Sequence, residues 1–257
     1  MELSQKPDVR LAKRVLPAPL YRALSHLFAQ NISDCILVGG TALSGFYAGH
    51  RRSDDLDLFV KDDAAFAQAR LALKSLQKLD TQITETARSN QYVKAVCNLD
   101  NHSFTVDIVL DENLFRVGGF NLCENKVAVA DLATLFMMKS AALLSRCSEK
   151  DLYDLAWLFD NLENISVSDM VAKGVKIDAG IKPETVLYSV SSSQIRKEAC
   201  GFSLDPDLDA KAVHARIEKF RKRLIRELTD YIRNNTTSGL KPIVDTLRKL
   251  YSKGQPR

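Results

Sequence analysis

The chain contains no apolar run near the roughly 18–20 residues that span a bilayer, and its opening segment, "MELSQKPDVRLAKRVLPAPL", lacks the apolar middle region of a signal peptide. Cysteine is scarce. The five present (Cys35, Cys97, Cys123, Cys147 and Cys200) are scattered, with no Cys-x-x-Cys pair. Neither a zinc cluster nor a disulfide framework is indicated, and a reducing cytoplasm is the expected setting. The four histidines, His26, His50, His102 and His214, offer no pair at helical metal-ligand spacing, and His50 reads as a surface-loop residue. Internal repeats and low-complexity tracts are absent. A net charge of +4 permits a nucleic-acid partner without arguing for one, because the placement of charge matters more than its sum.

What remains is an ordinary globular composition, 46% apolar over 257 residues, enough for a normal core. Residues 18–30 predict a helix after a proline start. "DCILVGG" reads as a short buried strand ending at glycines, "TALSGFYAG" as a short helix and "DDLDLFV" as a second strand. "DAAFAQARLALKSLQKL" has helical spacing. The period then changes to two in "TQITETA", "YVKAVCNL" and "SFTVDIVL", with turn signals at Asn90 and Asp100-Asn101. A short strand pair is expected around "FNLC" and "KVAV". From Asp131 the pattern is helical: "DLATLFMMKSAALLSRC", then "KDLYDLAWLFDNL". A weaker, loop-rich connector follows over residues 165–185, then a long helix, "DAKAVHARIEKFRKRLIRELTDYIRNN", a "TSGLKP" break and a last short helix. The expected plan is an α/β (α+β) domain with a mixed sheet over residues 1–130, followed by a helical domain over residues 131–257.

Strand side chains alternate faces. In "DDLDLFV", Asp55, Asp57 and Phe59 therefore share one face, and Leu56, Leu58 and Val60 the other. In "SFTVDIVL", Asp107 lies on the face opposite Phe104, Val106, Ile108 and Leu110. A carboxylate in so apolar a strand is costly to bury unless paired or metal-bound. If the two strands are neighbours, three carboxylates converge, and three hard oxygen donors suit Mg²⁺. Gly39-Gly40 leads into a helix whose first N–H groups, near Thr41, favour a phosphate, and Ser53 adds a hydroxyl before the acids. Each piece has an ordinary structural reading: a turn, an exposed edge, a satisfied core polar group. Together, in this order, they describe a site for a nucleoside triphosphate.

Gly39-Gly40-Thr41-Ala42-Leu43, then Tyr47, then Arg51-x-Ser53-x-Asp55-Leu56-Asp57, resembles the DNA polymerase β-like nucleotidyltransferase superfamily, and more closely the AbiEii/AbiGii-type nucleotidyltransferase toxins of bacteria. The likeness covers most of residues 35 to 160 and includes Lys150-Asp151-x-Tyr153-Asp154, where many members carry Arg at the first position. It implies that the glycine motif holds the triphosphate, that Asp55 and Asp57 bind Mg²⁺ (two ions), and that Asp107 is the third carboxylate. It implies transfer of a nucleoside monophosphate to an acceptor, with RNA such as tRNA as the expected class, and a cognate antitoxin as partner. A small-molecule transferase of the aminoglycoside type and a non-catalytic module retaining the fold are the alternatives.

Helical spacing sets Lys139 and Arg146 in line with Leu132, Leu135, Phe136 and Leu143, and Asp151 and Asp154 with Leu155, Leu158 and Leu162. Inward charges need partners. Either the four form a buried ion-pair network, or Lys139, and with less reason Arg146, reaches the triphosphate while Asp151 or Asp154 orients it; Asp151 could also be an N-cap. Tyr153 and Trp157 lie opposite the acids and read as packing. On the long helix, Arg216, Lys219, Arg223 and Arg226 form a stripe separate from the apolar one, an expected RNA-docking face diluted by Glu218 and Glu227.

Overall fold

The computed structural model describes residues 3–252. Two short helices, α1 (Val9–Val15) and α2 (Ala18–Ala29), precede strand β1 (Cys35–Val38). Helix α3 (Gly39–Leu43) begins on the glycine pair itself and continues as a π-helical turn over Ser44–Ala48. Strand β2 (Asp55–Val60), helix α4 (Asp63–Ser75), strands β3 (Gln82–Arg88), β4 (Tyr92–Leu99) and β5 (His102–Leu110), helix α5 (Glu112–Val117), and strands β6 (Phe120–Leu122) and β7 (Ala128–Ala130) follow. The seven strands form one mixed sheet in the order β3-β4-β5-β2-β1-β7-β6. No helix of the described residues is long and apolar enough to cross a membrane.

The alternation expected in β2 and β5 decides how the sheet is covered. Leu56, Leu58, Val60, Val106 and Ile108, with Val93, Ala95 and Cys97 of β4, are all buried on one face, under α2 and α4. β2 and β5 run parallel in a register that sets Asp57 beside Asp107 and Asp55 beside Thr105. The period of two therefore sends all three acids to the other face, which helices α6 (Leu132–Ser145) and α7 (Glu149–Asn161) overhang.

The region expected as a connector, residues 165–185, holds helix α8 (Val167–Gly174) and the first turn of a further helix, α9 (Pro183–Ser192). Ser166 and Asp169 form a capping box on α8, and Pro183 opens α9 at a position where its missing N–H costs nothing. Both helices pack on α6, and that tertiary support outweighs their weak periodicity. Helix α10 (Ala210–Ser252) runs unbroken through "TSGLKP", so the expected break and separate last helix are also corrected. Propensity is a weak prior, and Gly239 and Pro242 do not break the helix here.

Candidate active site

Asp55, Asp57 and Asp107 meet Gly40, Ser53, Lys139, Arg146 and Asp151 around a single cleft of 460 Å³. Tyr92 and Lys94, from β4, complete its far wall. Gly39 has φ +71°, and a Cβ there would fall 1.9 Å from Asp57 Oδ2; one at Gly40 would fall 2.3 Å from Arg51 Nη2. The pair is thus glycine because the Asp57 and Arg51 side chains lie against its backbone. Thr41 is fully buried. Its hydroxyl donates to the Asp55 carbonyl at 2.5 Å and accepts from the Ser53 hydroxyl at 2.9 Å, bracing the start of α3 against β2.

The acids are held by other donors. Thr105 donates to Asp55 Oδ1 at 2.7 Å. Tyr92 donates its hydroxyl to Asp107 Oδ1, and Lys94 Nζ lies 3.4 Å from Asp107 Oδ2. Burial, first, and the Asp107 hydrogen bond push the Tyr92 hydroxyl up to about 12, so it remains a donor at neutral pH. Asp57 is pushed up to about 6, by burial first and then by Asp55; Asp107 adds to the rise, while Lys139 and Arg146 oppose it. Among the described residues no three acids are yet gathered tightly enough to grip an ion. The donor set nevertheless fits a hard divalent cation: three carboxylates face one cleft at a cost that added positive charge would relieve.

Behind the cleft lies an ion cluster spanning both halves of the chain. Lys139 Nζ pairs with Asp151 Oδ1 at 3.0 Å and with Asp154 Oδ2 at 2.7 Å. Arg146, 63% exposed, donates to Asp151 Oδ2 at 2.8 Å and Oδ1 at 3.0 Å. Arg51 donates through Nε and Nη2 to the two oxygens of Asp154 at 2.6 and 2.8 Å. His50 Nε2 adds a third partner to Asp154 at 2.9 Å. Burial works against both carboxylates, but the Arg51 and Lys139 charges hold Asp154 well below the usual range, and those of Lys139 and Arg146 do the same for Asp151.

The ion-pair network weighed from helical spacing is therefore present, with Arg51 as a member that spacing alone did not reveal. Asp151 is not the N-cap; Ser148 accepts its N–H at 3.3 Å and caps α7. His50 is not a surface residue. Its side chain is 6% exposed, its ring stacks on Tyr153 at 5.3 Å, and burial lowers its pKa and keeps it neutral. Only the quoted motif hinted at Arg51, and nothing in the sequence pointed to Tyr92 or Lys94, because their roles come from strand register.

Helix α7 has two working sides. Asp151 lines the cleft and Asp154 is buried behind it, while Ala156 and Asp160 line a separate groove of 480 Å³ with Arg216, Lys219, Phe220, Lys222, Arg223 and Arg226 of α10. Arg216 pairs with Asp160 at 3.2 Å and Arg223 with Glu227 at 2.8 Å, which partly neutralises the basic stripe.

The family model described as "Nucleotidyl transferase AbiEii toxin, Type IV TA system" matches residues 22–247. Among solved structures, MenT4, a nucleotidyltransferase toxin from Mycobacterium tuberculosis H37Rv, shares the fold at 17% identity with a TM-score of 0.50, over 91% of this chain and 96% of that one. JHP933 from Helicobacter pylori matches at 15% identity with a TM-score of 0.46, over 90% of this chain and 97% of that one. No curated protein matches.

Proposed function

We propose, from the premise that this chain belongs to the AbiEii family of nucleotidyltransferase toxins, that it transfers a nucleoside monophosphate from a nucleoside triphosphate to an RNA acceptor in a Mg²⁺-dependent reaction. Membership makes the chain a nucleotidyltransferase of a type IV toxin–antitoxin system, with a nucleoside triphosphate as substrate and an antitoxin as partner. The observation that carries the finer reading is the convergence of Asp55, Asp57 and Asp107 on one face, opposite the cationic pair Lys139 and Arg146. The five buried free thiols suit the reducing cytoplasm.

Two Mg²⁺ ions at the three acids would lower the pKa of the acceptor hydroxyl and neutralise the leaving pyrophosphate. Asp55, Asp57 and Asp107 would hold the ions, and Asp107 would accept the proton of the acceptor hydroxyl. The acceptor oxygen forms a bond to the α-phosphorus, the bond from that phosphorus to the bridging oxygen breaks, and pyrophosphate leaves. Gly40 and Ser53 line the triphosphate path, and Lys139 and Arg146 meet its charge. Asp151 and Asp154 orient those cations. Incubating the protein with Mg²⁺, each labelled nucleoside triphosphate in turn and total cellular RNA tests the proposal. A labelled RNA band is expected, and label on small molecules alone would overturn the RNA acceptor.

Lys139→Ala is expected to weaken triphosphate binding about ten-fold or more, the scale of one hydrogen bond to a charged group. Its effect on Tm should be small, because Asp151 keeps Arg146 and Ser148, and Asp154 keeps Arg51 and His50. Nucleotide titration and calorimetry on the same variant separate the two effects. A large Tm loss with unchanged affinity would confine Lys139 to the ion cluster.

The α10 groove is the proposed seat of the RNA body, since phosphate contacts place an RNA without reading its sequence. Replacing Arg223 and Arg226 together by Glu should weaken RNA binding and flatten its salt dependence by about 0.7–0.9 in log–log slope for each phosphate left without its cation. Triphosphate binding should not change. RNA binding equal to the parent's at every salt concentration would make the stripe a solvated face.

A further inference from the structure

The acid-bearing face of the sheet does not end at Asp107. By register, Lys94 pairs with Asp107, Tyr92 with Val109, Val96 with Thr105 and Asn98 with Ser103, so these β4 side chains share the face of the acids. On β3, Gln82 pairs with Asn98, Thr84 with Val96 and Ala87 with Lys94, extending the same face. Gln82, Thr84, Ala87, Val96 and Asn98 are exposed, and Tyr92 and Lys94 half-buried. The opposite face of β4 is packed on the core. An open sheet surface thus adjoins the acceptor-side carboxylate, and among these residues it carries one cation, one aromatic ring and no carboxylate.

We propose that this face of β3 and β4 receives the terminal nucleotides of the acceptor strand, with Lys94 on its last phosphate and the Tyr92 ring against its last base. The inference rests on the polynucleotide acceptor proposed above. Among the described residues Lys94 is paired only with Asp107, at 3.4 Å, and its side chain is 40% exposed. Lys94 loses that partner when Asp107 holds a cation. Its ammonium is then available to another anion within reach of its stem, and a phosphate next to the attacking hydroxyl is such an anion. Tyr92, anchored through its hydroxyl on Asp107, offers a ring of fixed position, and base stacking on an aromatic side chain tolerates any sequence. A polycationic acceptor would find a cation here and no acid beyond those of the metal site.

The test is fluorescence anisotropy with a short 5′-fluorescein-labelled single-stranded oligoribonucleotide of mixed sequence and free 3′ hydroxyl, in Mg²⁺ without nucleoside triphosphate, so that no transfer occurs. Lys94→Gln is expected to weaken binding several-fold at low salt and to reduce the log–log salt slope by about 0.7, and Lys94→Arg to retain both. Tyr92→Leu should weaken binding roughly five- to hundred-fold, while Tyr92→Phe, which keeps the ring and loses only its anchor on Asp107, should weaken it less. The circular dichroism spectrum and Tm of Lys94→Gln should match the parent's, which reports that the variant is folded. If the parent binds the oligonucleotide and Lys94→Gln and Tyr92→Leu bind it equally well, this inference is overturned and the RNA acceptor stands. If the parent binds no oligonucleotide at any salt concentration, the polynucleotide acceptor falls, and the inference with it.

Discussion

Asp57→Ala is expected to reduce nucleotidyl transfer by about 10²–10³-fold or more, the scale of losing one electrostatic stabiliser of the transition state, with the circular dichroism spectrum unchanged. Asp55→Ala should match it, because the two residues share one face of β2, and Asp107→Asn should lower the rate strongly. The same acids are a burden to the metal-free fold. Asp57 holds its proton up to about pH 6, against the usual range near 4, because it is buried beside Asp55 and Asp107. The folded state therefore binds more protons than the unfolded one between those values, and stability falls as pH rises through that window. Asp57→Asn should consequently raise Tm of the metal-free protein above pH 6 while removing activity. Full activity in Asp57→Ala, or activity persisting in excess EDTA, would end the metal mechanism.

Asp154→Ala is expected to destabilise the protein by about 3–5 kcal/mol, the cost of stripping a buried charge of its partner. At about 2–4 °C per kcal/mol for a chain of this size, Tm should fall on the order of 10 °C. Asp154 is fully buried and accepts both Arg51 bonds, so its removal leaves a guanidinium that is 2% exposed without its carboxylate. Arg51 belongs to the loop before β2, whose neighbour Arg52 donates its N–H to the Phe202 carbonyl at 2.7 Å, so the loss should also loosen the sheet from the helical half. The pH dependence follows in sign. A carboxylate depressed in the folded state stabilises above its unfolded pKa of about 3.9, and that stability is lost as pH falls through the folded value. The gap between the parent and Asp154→Ala should be full at pH 7 and shrink below about pH 4. Thermal melts at both pH values check it; an equal Tm at pH 7 would show that Arg51 finds another partner.

The sequence by itself determined what depends on one element at a time. Alternation within "DDLDLFV" and "SFTVDIVL" committed Asp55, Asp57 and Asp107 to faces opposite their apolar neighbours, and helical spacing turned Lys139, Asp151 and Asp154 inward, whereas Arg146, at the C-cap of α6, is exposed and reaches Asp151 from the surface. The order of glycines, hydroxyl and acids was enough to carry the family resemblance. Only the tertiary structure decided who meets whom. Arg51 and Asp154 lie 103 residues apart, and His50, read as a loop residue, is buried because α7 lays Tyr153 and Asp154 over it. Lys94 reaches Asp107 through a strand register that a one-residue slip would reverse. The connector folded into α8 and α9 because α6 gave them a surface to pack on. Periodicity is a local property of the chain, whereas register, sheet order and charge pairing are set by which surfaces the whole fold brings together.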